Sequence, residues 1–266
     1  MVIARALTIA GSDSGGGAGI QADIKTFQEL GVFGMSAITV LTAQNTLGVQ
    51  GVYPQSVECI AEQLDSVLSD IGADAVKTGM LYSADIIEIV AEKLSAHGRP
   101  TLVVDPVMFA KGGTPLLKQE AMDALRTKLL PLATLITPNI PEACELIGAK
   151  EITCVEQMER AAKQLHELGS KYVLVKGGHL EGPSSVDVLY DGQSFLHLES
   201  RRILTNHTHG TGCTLSAAIA AQLAKGDSIQ SAVQTAKAFI TAAIDHALPI
   251  GGGIGPTNHA AYRSFQ

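Results

Sequence analysis

The chain has 266 residues, of which 46% are hydrophobic, and its formal net charge is −7. This length and composition suffice for one large α/β core, and we expect residues 1–266 to form a single domain. Lysine and arginine form no runs, which argues against a nucleic-acid partner. No apolar segment reaches the roughly 20 residues that span a bilayer, so we expect no membrane partner either.

The first residues of the chain and its cysteines indicate in which cellular compartment we expect the protein. Residues 1–7 lack the basic start and long apolar core of a signal peptide, and they are typical of the approach to a strand. Four cysteines occur without a CxxC pair, which argues against a zinc site. Free thiols are typical of the reducing cytoplasm, where we expect the protein. We interpret Cys59, Cys144 and Cys154 as small buried packing residues.

Short runs of β-type residues alternate with longer stretches of helical periodicity. The predicted strands cover residues 6–10, 35–41, 74–77, 101–105, 134–137, 171–176, 186–190 and 194–198. The predicted helices cover residues 18–30, 57–68, 84–94, 119–129, 142–147, 155–168, 213–224 and 229–247. This alternation predicts an α/β fold, a three-layer α/β/α sandwich around a mostly parallel sheet.

A glycine-rich turn, His-Gly-Thr-Gly-Cys-Thr at residues 209–214, opens directly onto an apolar helical stretch. Unpaired backbone N–H groups and the positive end of the helix dipole make such a turn a good site for anions, above all for phosphate. Cys213 lies where these N–H groups converge, which places an ionisable sulfur beside the anion. The turn therefore predicts an anion hole formed by Gly210, Thr211, Gly212 and Cys213.

Charged side chains follow several of the predicted strands. Asp105 and Glu142 could reach a magnesium ion directly or through water, and Lys176 could neutralise a phosphate. In folds of this class, ligands bind at the carboxyl ends of the strands, where these residues would meet. An anion hole, carboxylates and a lysine at one sheet edge predict phosphoryl transfer.

A second glycine-rich stretch, residues 15–19, raises the alternative of a nicotinamide oxidoreductase. It follows the first strand, but it lacks the G-x-x-G ending, and no acidic residue ends the second strand. We interpret it as a tight turn that lets a ligand approach the backbone. With Ser12 and Asp13 it is also a candidate wall or lid of the site. A Walker A motif is absent, because the chain contains no Gly-Lys dipeptide.

The motifs together resemble those of the ribokinase-like superfamily of small-molecule kinases. They lie at residues 6–13, 16–23, 77–81, 105–107, 137–142, 176–179 and 208–214. As a set they closely resemble the hydroxymethylpyrimidine/phosphomethylpyrimidine kinases of thiamine synthesis, over essentially the whole chain. The resemblance implies a ribokinase-like fold, ATP and Mg²⁺, and a homodimer. It also implies two steps, phosphorylation of 4-amino-5-hydroxymethyl-2-methylpyrimidine and then of its monophosphate to the diphosphate.

Cys213 stands where most sugar kinases of the superfamily carry an aspartate as general base. The resemblance implies that this cysteine accepts the proton of the substrate hydroxyl. A free thiol has a pKa of ~8.5, and we expect the helix N-terminus to lower it. A loose phosphoryl-transfer transition state requires positioning and charge neutralisation more than a strong base.

The resemblance also implies the remaining binding residues. The residues implied around the pyrimidine are Gly11, Ala18, Asp23, Gln44, Met80 and Val107. The residues implied around magnesium and the ATP phosphates are Asp105, Asn139, Glu142, Lys176 and Thr214. For His209, phosphate binding and a capping or structural role both remain open.

Gln44 favours the pyrimidine over the nearest alternative substrate. A 4-aminopyrimidine presents an amino donor beside a ring-nitrogen acceptor, and a primary amide offers the complementary pair. Pyridoxal presents a phenolic oxygen and an aldehyde instead, so a pyridoxal kinase with the same fold and cysteine is the first alternative. The second is a non-catalytic pyrimidine- or nucleotide-binding protein, which is expected to lack the base or the metal carboxylates.

Overall fold

The computed structural model describes residues 3–109, 113, 116–118 and 120–265, and the strands within this part form one nine-stranded sheet. The strands are β1 (Arg5–Asp13), β2 (Phe33–Asn45), β3 (Gly48–Pro54), β4 (Ala75–Thr78), β5 (Thr101–Val104), β6 (Leu135–Ile136), β7 (Tyr172–Val175), β8 (Ser184–Tyr190) and β9 (Phe195–Arg201). The helices are α1 (Gly19–Glu29), α2 (Val57–Asp70), α3 (Ala84–Ala96), α4 (Ala121–Ala124), α5 (Ile140–Ile147), α6 (Val155–His166), α7 (Thr211–Ala224), α8 (Ile229–Asp245) and α9 (Ala261–Ser264).

The strand order across the sheet is β3-β2-β1-β4-β5-β6-β7-β8-β9. Strands β2, β1, β4, β5, β6 and β7 are parallel, whereas β3 pairs antiparallel with β2, and β8 and β9 form an antiparallel hairpin at the other end. The order reverses at β1, because β2 lies on one side of it and β4 on the other. Such a switch point leaves a crevice at the carboxyl ends of the strands, where ligands bind.

Helices cover both faces of the sheet because successive strand residues point to opposite sides. In β1, Leu7 and Ile9 pack with α2, α3, α5 and α6, whereas Ala6 packs with α1, α7 and α8. In β5, Val104 joins the first cluster and Val103 the second. The predicted three-layer α/β/α architecture with a mostly parallel sheet is therefore confirmed.

The elements differ from the prediction in three places. The second strand continues to Asn45 and is followed by β3. The sequence pattern does not predict β3, because glycines and Pro54 interrupt its apolar residues. In place of the predicted helix at 119–129, an α-helix begins at Ala121 and continues as a π-helical turn at Leu125–Leu129. Residue 119 lies outside the described residues. The glycine-rich tail ends in α9.

The cysteines outside the glycine-rich turn are less buried than predicted. Cys59 is exposed, so the prediction is wrong there, and Cys144 and Cys154 are half-buried. Cys59 lies in the first turn of α2, whose buried residues are Ile60 and Leu64. Among the helices that the structure describes, none has the length and apolarity to cross a bilayer.

Candidate active site

The carboxyl ends of β1, β4, β5, β6 and β7 open into one cleft of about 640 Å³. Most of the predicted site residues line it. These are Gly11, Ala18, Gln44, Met80, Asp105, Val107, Asn139, Glu142, Lys176, Gly210, Thr211, Gly212 and Cys213. The two exceptions, Asp23 and Thr214, lie behind its wall.

The glycine-rich turn forms the N-terminus of α7. Gly210 has a φ of 82°, and a Cβ there would overlap the carbonyl oxygen of Gly17, so both the backbone angle and the close approach require glycine. The N–H of Thr214 bonds to the carbonyl oxygen of Gly210. Because the first N–H groups of a helix have no carbonyl partner within it, Gly212 and Cys213 supply the candidate donors to an anion.

Lys176 brings two carboxylates together beside this turn. Its Nζ lies 2.8 Å from Asp105 Oδ1 and 4.0 Å from Glu142 Oε2. Burial lowers the pKa of Lys176, but Asp105 and Glu142 outweigh that effect and raise it. Burial works to raise the pKa of Asp105, but Lys176 and Lys77 outweigh it, and the pKa is lowered. Lys176 and Asp105 therefore carry opposite charges.

Glu142 combines a structural role with its place in the cleft. Asn139 and Glu142 form a capping box at the start of α5, in which each side chain accepts a hydrogen bond from the other residue's backbone N–H. Burial raises the pKa of Glu142 to about 7, against the influence of Lys176. The box fixes both side chains at the edge of the cleft next to Asp105.

Lys77 is a cleft residue that the sequence analysis missed. It is fully buried in the protein, and its Nζ lies 2.9 and 3.1 Å from the two carboxylate oxygens of Asp23. Asp23 also accepts a 2.6 Å hydrogen bond from Thr8. The prediction that Asp23 lines the pyrimidine site is therefore corrected: Asp23 lies behind Lys77, and Lys77 faces the cleft. A lysine within the buried strand β4 is the signal that could have revealed this pair.

The pKa of the Cys213 thiol differs from the one predicted. Burial raises its pKa to about 11, although Lys77 and the backbone N–H of Gly19 act in the opposite direction. The expectation of a lowered pKa is therefore wrong, because removal from water outweighs the influences that lower it. At neutral pH the resting thiol is protonated.

Thr214 does not face the cleft as predicted. It is fully buried, and its hydroxyl lies 3.0 Å from Nε2 of His259. Burial, together with Lys25, lowers the pKa of His259 to about 4, so this imidazole is neutral. The side chain of Thr214 therefore attaches α7 to the C-terminal tail.

Gln44 lies inside β2, near its end, and lines the opposite part of the cleft. Its Oε1 accepts a 3.1 Å hydrogen bond from Thr42, and its Nε2 lies 3.5 Å from Nε2 of His209. The same nitrogen of His209 lies 2.8 Å from Oδ2 of Asp13. His209 therefore connects the glycine-rich turn to the end of β1, which supports the structural role for this residue.

The carboxylate of Asp13 occupies the glycine-rich loop at 15–18. It accepts hydrogen bonds of 2.8, 3.0 and 2.9 Å from the backbone N–H groups of Gly15, Gly17 and Ala18. A dinucleotide fingerprint would need such N–H groups for its pyrophosphate. Ser12, Asp13 and Ala18 line the cleft beside this loop, and the nicotinamide alternative loses its phosphate site.

The end of the cleft beyond Lys176 also contains residues that the sequence motifs do not predict. Asp187 accepts a 2.8 Å hydrogen bond from the N–H of Gly177 and pairs with Lys237 at 2.7 Å. A carboxylate within the apolar strand β8 is the signal that could have revealed it. The apolar lining at this end comes from Ile203, Leu215, Ile240 and Ile244.

Comparison with known proteins identifies the family. The family model described as phosphomethylpyrimidine kinase matches residues 13–258. The hydroxymethylpyrimidine/phosphomethylpyrimidine kinase of Bacillus subtilis (strain 168) is 54% identical over 264 residues, which cover 99% of this chain and 97% of that protein. The pyridoxine kinase of the same organism is 49% identical over 269 residues, which cover 100% of this chain and 99% of that protein.

The fold agrees with solved structures of related kinases. The pyridoxal kinase from Staphylococcus aureus, solved in complex with AMP-PCP and pyridoxal, matches with a TM-score of 0.92 and 39% identity, covering 100% of this chain and 97% of that one. The predicted ribokinase-like α/β fold is confirmed. The family match extends over nearly the whole chain, and the relatives cover it almost completely. The chain belongs to the phosphomethylpyrimidine kinase family.

Proposed function

We propose that this kinase transfers a phosphoryl group from ATP first to 4-amino-5-hydroxymethyl-2-methylpyrimidine and then to its monophosphate, which yields the diphosphate for thiamine synthesis. One observation carries the proposal. A single cleft has an amide, Gln44, at one end and a helix N-terminus with Lys176, Asp105 and Glu142 at its centre. Such a cleft can hold an aminopyrimidine so that its hydroxyl faces a bound phosphate. The single nine-stranded sheet supports treating residues 1–266 as one catalytic domain.

The donor set fits magnesium held jointly by protein and nucleotide. Within the described residues no group of three or more histidine, cysteine, aspartate or glutamate side chains could enclose a metal. Mg²⁺ usually keeps several waters and takes only one or two carboxylates besides phosphate oxygens. Asp105 and Glu142 would supply those carboxylates. When bound, the ion would neutralise charge on the phosphate oxygens of ATP.

Different residues of the cleft would stabilise the transferring phosphoryl group and accept the proton. The substrate hydroxyl oxygen forms a bond to the γ-phosphorus, the bond from that phosphorus to the β–γ bridging oxygen breaks, and ADP leaves. Lys176 and the N–H groups of Gly212 and Cys213 would stabilise the charge on the transferring group. The hydroxyl proton would pass to the thiolate of Cys213, the minor form at neutral pH, which the ammonium of Lys77 favours.

ATP as phosphoryl donor is supported by the AMP-PCP complex of the structurally similar pyridoxal kinase. The cleft volume of about 640 Å³ supports the second step, since the monophosphate needs room for a further phosphate between ring and ATP. Pyridoxal is the second candidate substrate, because pyridoxine and pyridoxal kinases are among the relatives.

The function is tested by steady-state ATP consumption with the pyrimidine alcohol, its monophosphate and pyridoxal in parallel. We expect turnover of both pyrimidines, and loss of all activity when EDTA removes magnesium. Failure to phosphorylate the monophosphate would eliminate the two-step proposal. Turnover of pyridoxal alone would favour the vitamin B6 alternative.

Replacing Gln44 tests the choice of substrate. Gln44→Leu keeps a similar volume but loses the amide, which leaves the amino group and ring nitrogen of the pyrimidine unpaired. We expect kcat/KM for the pyrimidine alcohol to fall about ten- to a hundredfold, with a much smaller change for pyridoxal and for KM of ATP. The matched control is Gln193→Leu in the exposed turn between β8 and β9, outside the cleft. Equal losses with both substrates would contradict the assignment.

The pH dependence of turnover tests Cys213 as the base. The pKa of Cys213 is raised to about 11. Below that pH, the thiolate fraction rises about tenfold with each unit by which the pH increases. We therefore expect kcat to rise from pH 7 to 9, and Cys213→Ala to lose about 10²–10⁴ in rate together with that dependence.

Cys144→Ala is the control for the Cys213 experiment, because its thiol pKa is also raised by burial but it lies outside the cleft. A flat wild-type profile, or near wild-type turnover by Cys213→Ala, would refute the base role while leaving the anion hole intact.

We also propose that the chain forms a homodimer through the β2–β3 hairpin. Leu41, Leu47 and Tyr53 are 44%, 73% and 61% exposed there, and β3 is an edge strand of the sheet formed by the described residues. Sedimentation should give the dimer mass for the wild type, and Leu47→Glu should shift it toward monomer. Leu204→Glu, at another exposed leucine, is the control. A monomeric wild type would contradict the proposal.

A further inference from the structure

Arg202 lies directly after β9, and its guanidinium group donates hydrogen bonds to several backbone carbonyl oxygens of one loop. The loop is the β7–β8 loop, residues 177–183. Nε donates to the carbonyl oxygen of Gly182 at 2.8 Å, and Nη1 donates to that of Gly178 at 2.9 Å. Nη2 donates to the carbonyl oxygens of Leu180 at 2.5 Å and Ser184, the first residue of β8, at 3.0 Å. The backbone N–H of Arg202 adds a 3.0 Å bond to Pro183.

The β7–β8 loop continues directly from Lys176, which binds the central carboxylates. Its first residue is already fixed, because the N–H of Gly177 bonds to Asp187 and a Cβ on Gly177 would overlap the carbonyl oxygen of Val186. Gly178 and His179 of the loop line the cleft beyond Lys176. The position of this part of the cleft wall therefore depends on how the remainder of the loop is held.

An arginine suits this task and a lysine does not. The guanidinium group carries five N–H donors in a rigid plane, whereas an ammonium group is a point charge with three donors. Here four carbonyl oxygens, spread over seven residues of chain, converge on one group. Loss of that group removes four charge-assisted hydrogen bonds from a segment with little other structure.

The wall held by Arg202 belongs to the nucleotide end of the cleft, an assignment that rests on the proposed function. Gln44 marks the pyrimidine end, and the α7 N-terminus lies at the centre. Beyond Lys176, the apolar side chains of Ile203, Ile240 and Ile244 offer a surface for a flat base. Arg202 itself lines this end.

We propose that Arg202 is a positioning residue for ATP, which holds the β7–β8 loop in the conformation that accepts the nucleotide. It acts through the backbone of Gly178, Leu180 and Gly182. Its loss should weaken ATP binding by the same amount in the ground state and in the transition state. The reason is that the loop would contact the nucleotide and not the reacting hydroxyl.

The test compares Arg202→Ala and Arg202→Lys with the wild type in steady-state kinetics and in AMP-PCP titration with magnesium. We expect KM for ATP and Kd for AMP-PCP to rise about tenfold or more, with kcat and KM for the pyrimidine alcohol within about threefold. Arg202→Lys should resemble Arg202→Ala, since the fork is lost in both. Added guanidinium ion, at concentrations well below denaturing ones, should partly restore AMP-PCP binding to Arg202→Ala.

Arg5→Ala is the matched control, because Arg5 donates to the carbonyl oxygen of Ile71 and pairs with Asp74 at the start of β1, away from the cleft. We expect it to lower the melting temperature without changing Kd for AMP-PCP. An unchanged KM for ATP in both Arg202 variants, or an equal rise for ATP and pyrimidine, would overturn the proposal. A wild type that binds AMP-PCP but phosphorylates no pyrimidine would refute the proposed function alone, and AMP-PCP affinity would still decide the role of Arg202.

Discussion

Charge pairing at the carboxyl edge of the sheet is the condition on which the whole site depends. Lys77 is fully buried there and the side chain of Lys176 is only 12% exposed. A charge removed from water without a partner would destabilise the fold by about 3–5 kcal/mol. Asp23 compensates the first, and Asp105 the second. Glu142 must share Lys176 with Asp105, and its pKa of about 7 reflects burial first and the neighbouring charge of Asp105 second. The centre of the cleft is therefore arranged to gain stability from additional cationic charge.

The two ends of the cleft differ in how specific their side chains are for one ligand. The groups proposed to bind phosphate, Lys176 and the N-terminus of α7, would suit any small-molecule kinase. Relatives near 50% identity include both pyrimidine and pyridoxine kinases. In the proposed function, substrate choice would therefore be concentrated in few side chains at the β1–β2 end, among which Gln44 offers an oriented amide. One scaffold can serve two vitamins with little change to its phosphate chemistry.

Sequence patterns predicted most of the fold, because the period-two strands and apolar helices report directly on burial. They also placed Asp105, Glu142 and Lys176 at one edge, since each follows a parallel strand. They failed where tertiary contacts decide. Asp23 and Thr214 are fully buried behind the cleft lining, where they bond to Lys77 and His259, which are distant in sequence. The Cys213 pKa was missed for the same reason, because desolvation depends on the surrounding fold and not on the helix terminus alone.

The carboxylate of Asp13 inside the glycine-rich loop has a thermodynamic consequence for ligand capture. A loop of three consecutive glycines would ordinarily be flexible, and ordering it on binding would oppose affinity by roughly 1–2 kcal/mol per residue. Here the backbone donors of Gly15, Gly17 and Ala18 are already bonded, and His209 ties Asp13 to α7. This ordering takes place during folding, so an incoming substrate encounters Asp13 and Ala18 already fixed at the edge of the cleft.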